Sequence, residues 1–446
     1  MSTIPSVRQF NDGRPKHGIA AAEVIGINAA IYAADRYVLK RDFYLKCWEQ
    51  LRDNFRNPFV FDGDNFNTNF FAHPYHGSLY YNAARSLNVP MAWSSLYTLM
   101  GSLTWEFCAE NERPAVNDVF STVFGGITFG EVAHRITSAL KFRRKCGNKQ
   151  RIIHELVTAG INPMSTINRA ATGELWHADV YENSIQNIPM ECSITAGLYS
   201  FKPQNSTRRT DGMLAFNIVY GDINDTENNK PFDYFDTNLC LVTSFRQDIV
   251  RNMNIASRLC AWQLHDGDNF KTHLALYSHY NYFDYDKKVG EGDNKEQLLQ
   301  LTEAAAIGPS FAYTLPKVCD LSQQLHLSLI MMGGYTTDYY ERGYNMGSGL
   351  SMKLNTDLKI GKRIHFDLKS EYYHLFTWKG IEEGSKGGDK GSADFIVIRP
   401  SIDVFISPNI SIAGSAIWFY RNSHYKINPD IQKHYLDLRM GISYHL

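Results

Sequence analysis

The amino-acid sequence predicts a mainly β protein: a closed antiparallel transmembrane β-barrel of about 12 strands, preceded by an α-helical N-terminal region that plugs or caps it. Three observations lead to this prediction. From about residue 190 onward, apolar and polar residues alternate in long segments. The connections between these segments alternate between short and long, and the chain ends on an alternating apolar pattern.

Segments of period two fill the second half of the chain. In "LSMKLNTDLKI" one face carries Leu350, Met352 and Leu354, and the opposite face carries Ser351 and Lys353. Strict alternation indicates a β-strand whose two faces meet different surroundings. About twelve such strands are predicted, and they begin near Cys192, Met213, Thr237, Ala256, Lys271, Glu303, Gln323, Gly347, Arg363, Ala393, Ile410 and Tyr435.

The lengths of the predicted strands and connections suit a bilayer. The strands run to roughly 10–14 residues, longer than the usual five or six of globular sheets, and a tilted membrane crossing needs about 9–11. Connections such as "IGKR" and "SPN" are tight and polar, whereas "DYDKKVGEGDNKEQ" and "KGIEEGSKGGDKGSA" are long and charged. Short turns at one end and long loops at the other are typical of outer-membrane barrels, and an even strand number places both barrel ends on the short-turn side.

A barrel in lipid turns its apolar face outward and its charged face toward the lumen. The sheet must close, because an unpaired sheet edge in hydrocarbon is too costly. We therefore expect Leu354, Leu368 and Ile442 to face outward. Aromatic residues near strand ends predict interfacial girdles, namely Tyr280, Tyr282, Tyr335, Tyr339, Tyr340, Trp378, Trp418 and Tyr420. The alternative is a soluble antiparallel sandwich or barrel with one wet face.

The final segment, "DLRMGISYHL", bears on both the last strand and the compartment. Leu438, Met440, Ile442, Tyr444 and Leu446 alternate with other residues. This pattern resembles the C-terminal signal that outer-membrane assembly machinery recognises, with leucine in the last position instead of phenylalanine. We expect this strand to close the barrel against the first one, and we expect the barrel-assembly machinery to be a partner during insertion.

Composition limits the possible functions. The chain has 446 residues and a formal net charge of -1, which gives no global field for nucleic acid, and 13% of its residues are aromatic. The odd number of cysteines and the lack of CxxC spacing argue against a zinc site or a regular disulfide framework. The cysteines are Cys47, Cys108, Cys146, Cys192, Cys240, Cys260 and Cys319. No cofactor is expected.

We predict a helical region over residues 1–185 and the barrel over residues 186–446. Segments such as "HGSLYYNAARSL" and "PMAWSSLYTLMGSLTWEFCAE" have helical apolar spacing. The apolar stretch 18–39 is interrupted by Glu23, Asn28, Asp35 and Arg36, so it predicts an amphipathic or buried helix instead of a membrane span. The first residues, "MSTIPSVRQF", lack the apolar core of a secretory signal. Outer-membrane localisation therefore implies that the export signal has been trimmed from this sequence.

Several motifs follow one another in the helical region. They are "HPYHGS" with "YY" and "AAR" behind it, then "WE", "ERP", "ND", "GG" and "GE", and finally "NP" and "NR". Over roughly residues 60–175 this order resembles a family of uncharacterised bacterial outer-membrane proteins that is common in Bacteroidota. The resemblance implies a barrel in the outer membrane, and it implies no established activity.

The same region offers candidates for catalysis. His73 and His76 are close in sequence to Ser78, and Glu106 lies on the next predicted helix. Acyl transfer needs a nucleophile, a base and an orienting carboxylate, so these four residues form the candidate catalytic set of a lipid-acting hydrolase or acyltransferase. No Gly-x-Ser-x-Gly motif accompanies Ser78.

The structural alternative is a buried polar network that fixes the helices, because polar groups inside a helical bundle need partners. Its candidate members are Asn69, Arg85, Glu110, Glu131, Arg135 and Arg169, together with His73 and Glu106. Glu131 and Arg135 have the spacing of a helical salt bridge. A metal site could draw on His73, His76, Glu106 and Glu110, with the two glutamates one helical turn apart, but these residues lack the HExxH pattern. No metal is expected.

Three functions follow from these patterns. The first is a plugged outer-membrane barrel with a structural, transport or assembly-related role, in contact with outer-membrane lipid or lipopolysaccharide. The second is the lipid-acting enzyme, and the third is a channel for small solutes. A barrel of about twelve strands is narrow, so we expect part of the helical region to fill the lumen and part to pack at the periplasmic mouth.

Overall fold

The computed structural model describes fourteen stretches of the chain. They are residues 13–40, 47–57, 59–61, 63–142, 148–173, 175, 189–203, 208–227, 229–243, 249–285, 298–315, 320–339, 343–378 and 389–446. Two compact units make up the chain, Met1–Ile188 and Pro189–Leu446.

The second unit is a closed antiparallel barrel of twelve strands, which confirms the predicted fold class. The strands are β1 (Met190–Pro203), β2 (Arg209–Tyr220), β3 (Phe235–Val242), β4 (Val250–Asp266), β5 (Lys271–Asp284), β6 (Gln300–Leu315), β7 (Leu321–Thr336), β8 (Tyr344–Ile360), β9 (Ile364–Thr377), β10 (Gly391–Ser407), β11 (Ile410–Tyr425) and β12 (Ile431–His445). Each strand pairs with its neighbours in sequence, and β12 pairs with β1.

Small residues line the seam where the barrel closes. Gly197 of β1 lies opposite Gly441 of β12 in the antiparallel ladder. A Cβ on Gly441 would approach the carbonyl oxygen of Ala196 to 2.5 Å, so only glycine lets the two backbones come this close. The backbone N–H of Leu446 donates to the carbonyl oxygen of Cys192 at 2.9 Å. The last strand therefore closes the barrel against the first, as predicted.

The two faces of each strand differ as the alternation predicts. On β8, Leu350 and Met352 are 59% and 49% exposed, whereas Ser351 and Lys353 between them are buried. Because successive side chains point to opposite faces of a strand, the apolar set faces outward and the polar set faces the lumen. The outward apolar band also includes Leu198, Trp262, Leu274, Phe311, Leu327, Leu354, Phe376, Ile396, Ile412, Leu438, Met440 and Ile442, all of them exposed.

The connections sort by length between the two ends of the barrel. Residues 361–363 and 408–409 make tight turns at one end, whereas residues 285–299 and 378–390 form long connections at the other. The connection 221–234 is an exception, because it is long and lies at the short-turn end. Because the twelve strands alternate in direction, the start of β1 and the end of β12 both lie at the short-turn end of the barrel.

The predicted aromatic girdles are only partly present. Trp418 is 37% exposed, and its ring stacks on that of Tyr420 at a centroid distance of 6.4 Å. Tyr280, Tyr282 and Tyr335 are instead fully buried, and Tyr335 belongs to an apolar cluster inside the barrel. Position near a strand end does not reveal which face a tyrosine occupies, and this is why the prediction was wrong for Tyr335. Tyr280 and Tyr282 alternate with the lumen-facing Asn281 and Phe283, and nothing in the described structure explains their burial. Tyr340 lies outside the described residues.

The first unit is helical. Its helices are α1 (His17–Ala33), α2 (Trp48–Arg56), α3 (His73–Arg85), α4 (Met91–Cys108), α5 (Val116–Phe120), α6 (Gly126–Phe142), α7 (Asn148–Ile161) and α8 (Pro163–Ala171). Short π-helical turns continue α1 over Ala34–Leu39, precede α3 over Thr68–Ala72 and join α5 to α6 over Ser121–Gly125. The side chain of Asn162 caps α8 by accepting a hydrogen bond from the N–H of Ser165 at 3.0 Å.

Helix α1 packs only part of its surface within the helical unit. Ala20, Val24 and Ile27 are buried, while Ile19 and Ile25 stay exposed. With its π-helical continuation it runs from His17 to Leu39, which by length and composition would suffice to cross a membrane. Core helices of soluble proteins and signal sequences share this length and composition. The expected amphipathic or buried helix is thus apolar on its exposed side as well.

The outward face gives a first prediction. Met352 lies at the middle of β8 and Ile360 at its end, and both side chains are exposed. In a lipid bilayer, Met352→Arg should lower the free energy of unfolding by about 2–4 kcal/mol, and the matched control Ile360→Arg by about 0–1 kcal/mol, because the cost of a cation falls from the midplane to the interface. Urea titration in phospholipid vesicles measures both. Equal costs at the two positions would contradict a lipid-facing surface.

Candidate functional site

Close packing of α3 against α6 organises the polar centre of the helical unit. A Cβ on Gly126 would come within 2.6 Å of the backbone of Gly77, and a Cβ on Gly130 within 2.5 Å of the Tyr81 ring. In both helices the two contact positions are one turn apart, so glycine lets the helices meet along a continuous line. This approach brings the hydroxyl of Tyr81 on α3 to the carboxylate of Glu131 on α6.

Glu131 is the hub of a buried ionic cluster. Its Oε2 accepts from the hydroxyl of Tyr81 at 2.6 Å and from Arg85 Nε at 2.8 Å. Its Oε1 accepts from Arg135 Nε at 2.8 Å and from Arg85 Nη2 at 3.3 Å. The Glu131 side chain is fully buried. Both carboxylate oxygens are therefore satisfied by charge-assisted bonds that tie α3 to α6.

The charge state of Glu131 follows from these partners. Burial alone opposes ionisation, but the hydrogen bond and charge of Arg85, helped by His134 and Arg135, outweigh it and lower the pKa of Glu131 to about 2. The carboxylate is thus ionised at neutral pH. A permanently charged, fully bonded group of this kind positions helices and is poorly suited to acid–base catalysis, which needs a pKa near the working pH.

His73 meets two aspartates at the start of α3. Its Nε2 lies 3.4 Å from Asp118 Oδ1 and 3.9 Å from Asp64 Oδ2. Asp118 Oδ1 also accepts from Asn117 Nδ2 at 2.7 Å. The π-helical turn before α3 is joined to the one before α6, because Ser121 Oγ donates to the carbonyl oxygen of Asn69. Because the π-helical turns interrupt the regular helical spacing, the sequence does not show which side chains meet there.

His76 occupies an aromatic environment. Its ring lies 4.6 Å from the ring of Tyr80 and 5.5 Å from that of Trp105, measured between centroids. Burial, followed by the charge of His73, lowers the pKa of His76 to about 3. The imidazole is therefore neutral at pH 7. The hydroxyl of Tyr80, on the next turn of α3, donates to Asn28 Oδ1 of α1.

The structure does not join the candidate catalytic residues into one constellation. Ser78 Oγ donates to the carbonyl oxygen of Tyr75 at 2.6 Å, one turn earlier in its own helix. Glu106 accepts from the backbone N–H of Ala115 at 2.9 Å and so anchors the connection that follows α4. Within the described residues, Ser78 Oγ has no hydrogen bond to a histidine or a carboxylate. Catalysis by His73, His76, Ser78 and Glu106 stays a prediction, because the candidate nucleophile Ser78 is hydrogen-bonded to a backbone carbonyl instead of a candidate base.

The candidate network residues fall into separate groups. Arg85, Glu131 and Arg135 are bonded together, as described. Arg169 instead forms a bidentate pair with Glu155 of α7, at 2.6 and 2.9 Å. Asn69 Oδ1 accepts from Asn117 Nδ2 at 2.9 Å. The expected network is thus several local clusters, each joining two helices.

Glu110 departs from its expected placement. Helix α4 ends at Cys108, so Glu110 is not one helical turn beyond Glu106 on the same helix. The carbonyl oxygen of Glu110 accepts from Asn54 Nδ2 at 3.4 Å. Pro114 shortly afterwards favours an extended chain before it. Among the described residues, no group of three or more His, Cys, Asp or Glu side chains is arranged to hold a metal ion.

Sequence reasoning missed the partners that complete these clusters. Tyr81, Asp118, Asn117 and Glu155 do not stand out in the sequence, because each is brought to its partner by the packing of two helices. The sequence does indicate a structural role for Asn82 of α3, which lies one turn before Ser86. Its Nδ2 donates to the carbonyl oxygen of Gly130 at 3.1 Å, and its Oδ1 accepts from Asn162. An asparagine on the buried face of an apolar helix predicts such a bond.

A belt of asparagines lines the lumen at mid-height of the barrel. Asn238 donates to Asn217, Asn252 to Asn238, Asn254 to Asn281 and Asn281 to Glu303, at 2.5, 2.5, 2.8 and 2.7 Å. A bond of 3.0 Å from Asn252 to Asn254 joins the two halves. The amides therefore form a continuous chain of hydrogen bonds from β2 to β6.

Three ion pairs continue this belt around the lumen. Lys353 Nζ lies 2.7 Å from Glu303 Oε2, and Arg439 Nη2 lies 2.7 Å from Asp437 Oδ2. Arg399 pairs with Glu371 and also donates to Asn254 Oδ1 at 2.8 Å. The three cations balance the three anions. A charge inside a barrel is costly to leave unpaired, so each pair holds its own charges together. The bond from Arg399 to Asn254 joins β10 to β4 across the lumen.

Apolar side chains fill the lumen above the belt, toward the long connections. They form one buried cluster that includes Tyr199, Phe201, Met213, Val242, Phe283, Tyr285, Leu298, Leu299, Leu301, Ile330, Tyr335, Tyr373, Leu375, Phe395, Val397, Ile417, Phe419 and Tyr435. Rings of Phe283 and Tyr285 contact the ring of Phe419 at 5.3 and 5.4 Å. These strands therefore seal their own lumen with side chains at the long-loop end.

A cavity of about 680 Å³ remains below the belt, toward the short turns. Its walls are mixed: charged groups such as Glu191, Asp367 and Lys369 lie beside apolar ones such as Val219 and Ile402. Many of the charged groups are paired, as Lys369 is with Asp236. Its volume is in the range of a site for one small molecule. The barrel is therefore a cup, closed at the long-loop end and hollow at the short-turn end.

These features define the class: a closed transmembrane β-barrel with a sealed lumen, joined to a helical unit. The barrel with apolar residues outward and polar residues inward is the architecture of proteins that cross a membrane with strands. Within the helical unit, residues 58–164 match the family model of a domain of unknown function (DUF3943). No curated protein gives a significant match to the chain.

Solved outer-membrane barrels resemble the chain distantly. A NanC porin is 9% identical with a TM-score of 0.25, and the match covers 56% of this chain and 100% of the porin. OmpT, an outer membrane protein of Vibrio cholerae, is 7% identical with a TM-score of 0.25, covering 58% of this chain and 97% of OmpT. An anion-selective porin from Comamonas acidovorans is 7% identical with a TM-score of 0.24, covering 58% and 99%. Such low scores carry no argument, and the barrel fold rests on its own strand pairing.

Removing the charge of Glu131 tests its place as the hub. Glu131→Gln leaves the guanidinium groups of Arg85 and Arg135 in the interior without their anion, so the helical unit should lose roughly 3 kcal/mol of unfolding free energy. Circular dichroism at the helical band, during denaturant titration of the full chain in detergent, measures the loss. The control Glu112→Gln changes an exposed carboxylate and should shift stability by less than about 0.5 kcal/mol. Similar losses in both variants would contradict a hub at Glu131.

Acid should destabilise the helical unit through His76. Its pKa is about 3 in the folded protein, below the ordinary value of 6.5, so the folded state binds fewer protons between these values. The contribution of His76 to the free energy of unfolding is fully present above pH 6.5 and is lost as the pH falls toward 3. His76→Gln should flatten this slope of helical stability against pH, and His17→Gln, at an exposed histidine, should leave it unchanged. An unaltered slope in the His76 variant would count against the burial of this imidazole.

Proposed function

We propose that this protein is a non-conducting outer-membrane β-barrel with a structural, transport or assembly-related role in the cell envelope. One observation carries the proposal: the barrel exposes an apolar band on its outside while its own side chains seal the inside. We also propose that the chain is related to the outer-membrane family, common in Bacteroidota, that its motifs resemble. The match to a domain of unknown function supports the uncharacterised family and brings no activity.

The outward band needs an apolar solvent. Leu350, Met440 and Ile442 are each more than half exposed, at 59%, 67% and 63%. A large side chain gains roughly 1.5–3 kcal/mol when it leaves water for an apolar environment. Exposed residues of this kind recur on strands around the barrel, and this supports lipid acyl chains as their surroundings. Outer-membrane lipid or lipopolysaccharide is therefore the proposed partner of the outer face.

The C-terminal strand supports insertion as an outer-membrane barrel. β12 ends with apolar residues at alternate positions up to Leu446, and these face outward. The side chain of Tyr444 on the same face is 49% exposed. We propose that the barrel-assembly machinery reads this strand before it pairs with β1, because its outward face and its hydrogen-bonding edge are both open until the barrel closes.

The sealed lumen argues for a protein that does not conduct ions. An ion crossing it would have to displace the apolar cluster around Phe283, Phe395 and Phe419, whose exposure is zero. It would also have to break the paired belt below that cluster. Leaving water for such an interior costs an ion several kcal/mol even after relaxation. A channel for small solutes would need this half of the barrel to open.

The hollow end suits transport or assembly better than catalysis. The cavity lies in the short-turn half of the lumen. In the helical unit, the candidate catalytic residues Ser78 and Glu106 form local hydrogen bonds with the backbone. That the N-terminal helices fill or cap the lumen stays a prediction. Since the barrel's side chains occupy the long-loop half, a filling element could enter only from the short-turn end.

Localisation and conductance test the proposal together. Expressed with an export signal, the protein should fractionate with the outer membrane and migrate faster on a denaturing gel before boiling than after it, since closed barrels resist detergent. In planar bilayers the purified chain should produce no steady conductance steps. A variant in which residues 285–299 are replaced by a short Gly-Ser linker removes Tyr285, Leu298 and Leu299 from the seal and should admit current. Steady steps from the unaltered chain would refute the sealed lumen.

A further inference from the structure

The helical unit exposes apolar side chains on most of its helices. Trp48 is 76% exposed, Ile25 65% and Leu156 68%, and these residues lie on α2, α1 and α7. The exposed set is Ile19, Ile25, Trp48, Phe55, Trp93, Leu96, Met100, Phe120, Phe124, Ile152, Ile153, Leu156, Val157 and Ile167. On α7, the exposed Ile152, Ile153, Leu156 and Val157 share one helix face, and an exposed apolar face of this kind marks a surface for a membrane or a partner.

The interior of the same unit holds many polar side chains beside its apolar clusters. On α4, Ser94, Thr98 and Ser102 recur every fourth residue and are buried, while Trp93 and Met100 face outward. A helix at the surface of a soluble domain has the reverse arrangement, with its apolar stripe turned to the core. The buried polar residues elsewhere in the unit, such as Asn69, Asn82, Asn117, Thr137, Asn162 and Asn168, repeat the pattern.

The helix contacts are those of helices that associate in lipid. Glycines and small residues let α3 approach α6 and α4, since a Cβ on Gly101 would come within 2.7 Å of the Tyr80 ring. Interhelical hydrogen bonds from Tyr81 to Glu131 and from Asn28 to the carbonyl of Gly101 add to this packing. In an apolar solvent, close packing and polar contacts hold helices together because burying apolar side chains gains nothing there.

We propose that the exposed apolar surface of the helical unit lies in the acyl-chain region of a bilayer leaflet. This inference rests on the proposed membrane location of the barrel. Because both units belong to one chain, a barrel in the membrane tethers the helical unit to that membrane.

Lipid is the occupant that matches this surface. Trp48 and Trp93 suit the interface, where an indole can bury its ring and keep its N–H near water. Arg36, Arg52 and Arg56 are also exposed on α1 and α2 and can reach headgroups. The arrangement fits helices immersed roughly 5–10 Å into the headgroup and acyl boundary.

Photo-crosslinking on the full chain tests this inference. Benzoylphenylalanine replaces Met100 or Leu156 on the helices, Met440 on the outward face of β12, or Glu112 as an exposed polar control. The protein is reconstituted in vesicles of phosphatidylethanolamine and phosphatidylglycerol that carry an alkyne-tagged acyl chain, and it is then irradiated. Lipid adducts at Met100→Bpa and Leu156→Bpa should approach the yield at Met440→Bpa and exceed that at Glu112→Bpa by about tenfold, because only immersed side chains meet acyl chains.

Other outcomes separate this inference from the barrel proposal. If Met440→Bpa gives adducts and the helical positions do not, the helical unit is not immersed and the inference fails while the barrel proposal stands. A crosslink from Met100 or Leu156 to a barrel peptide, or to a second copy of the chain, would assign the surface to protein contacts and also overturn it. If Met440→Bpa gives no adduct, the membrane location of the barrel itself is refuted.

Discussion

The pairing of β12 with β1 is the constraint on which the rest of the barrel depends. In hydrocarbon, each unpaired backbone N–H or C=O costs several kcal/mol, and water cannot replace the missing partner. One open edge along a strand the length of β12 would therefore cost more than the whole net stability of an ordinary domain. Gly197 and Gly441 lie opposite each other at this seam, and close approach of the two backbones there leaves no room for a side chain.

Closure then dictates what the inside must contain. Twelve strands enclose a lumen too narrow for bulk water to solvate it freely, so inward side chains have to satisfy one another. The chain solves this in layers. Tyrosine and phenylalanine rings fill the long-loop half, asparagine amides bond around the middle, and charges appear in balanced pairs such as Lys353 with Glu303. Among the described residues, the short-turn half keeps a cavity with mixed charged and apolar walls.

The sequence reveals what depends on period and length, and it hides what depends on distant packing. Alternation placed Leu350 outward and Lys353 inward correctly, because the side-chain period of a strand is fixed by its backbone. It could not reveal that Lys353 meets Glu303 two strands away, nor that Arg169 meets Glu155 instead of Glu131. Tyr335 shows the limit of composition: an aromatic near a strand end suits an interface and a core equally well. Helix α7 was not predicted, although Ile152, Ile153, Leu156 and Val157 recur at helical spacing.

Both units bury many polar groups beside their apolar clusters and expose many apolar groups, although one is built of strands and the other of helices. In the barrel this follows from closure, since every second residue must face the lumen. In the helices nothing in the backbone requires it: α4 could equally have turned Met100 inward and Ser102 outward. That the same inversion appears where geometry does not impose it supports the proposed placement of these helices against lipid. A bundle whose hub is an ionised Glu131 held by Arg85 and Arg135 keeps its uniqueness through directional polar bonds, because in an apolar solvent the hydrophobic effect cannot select one packing over another.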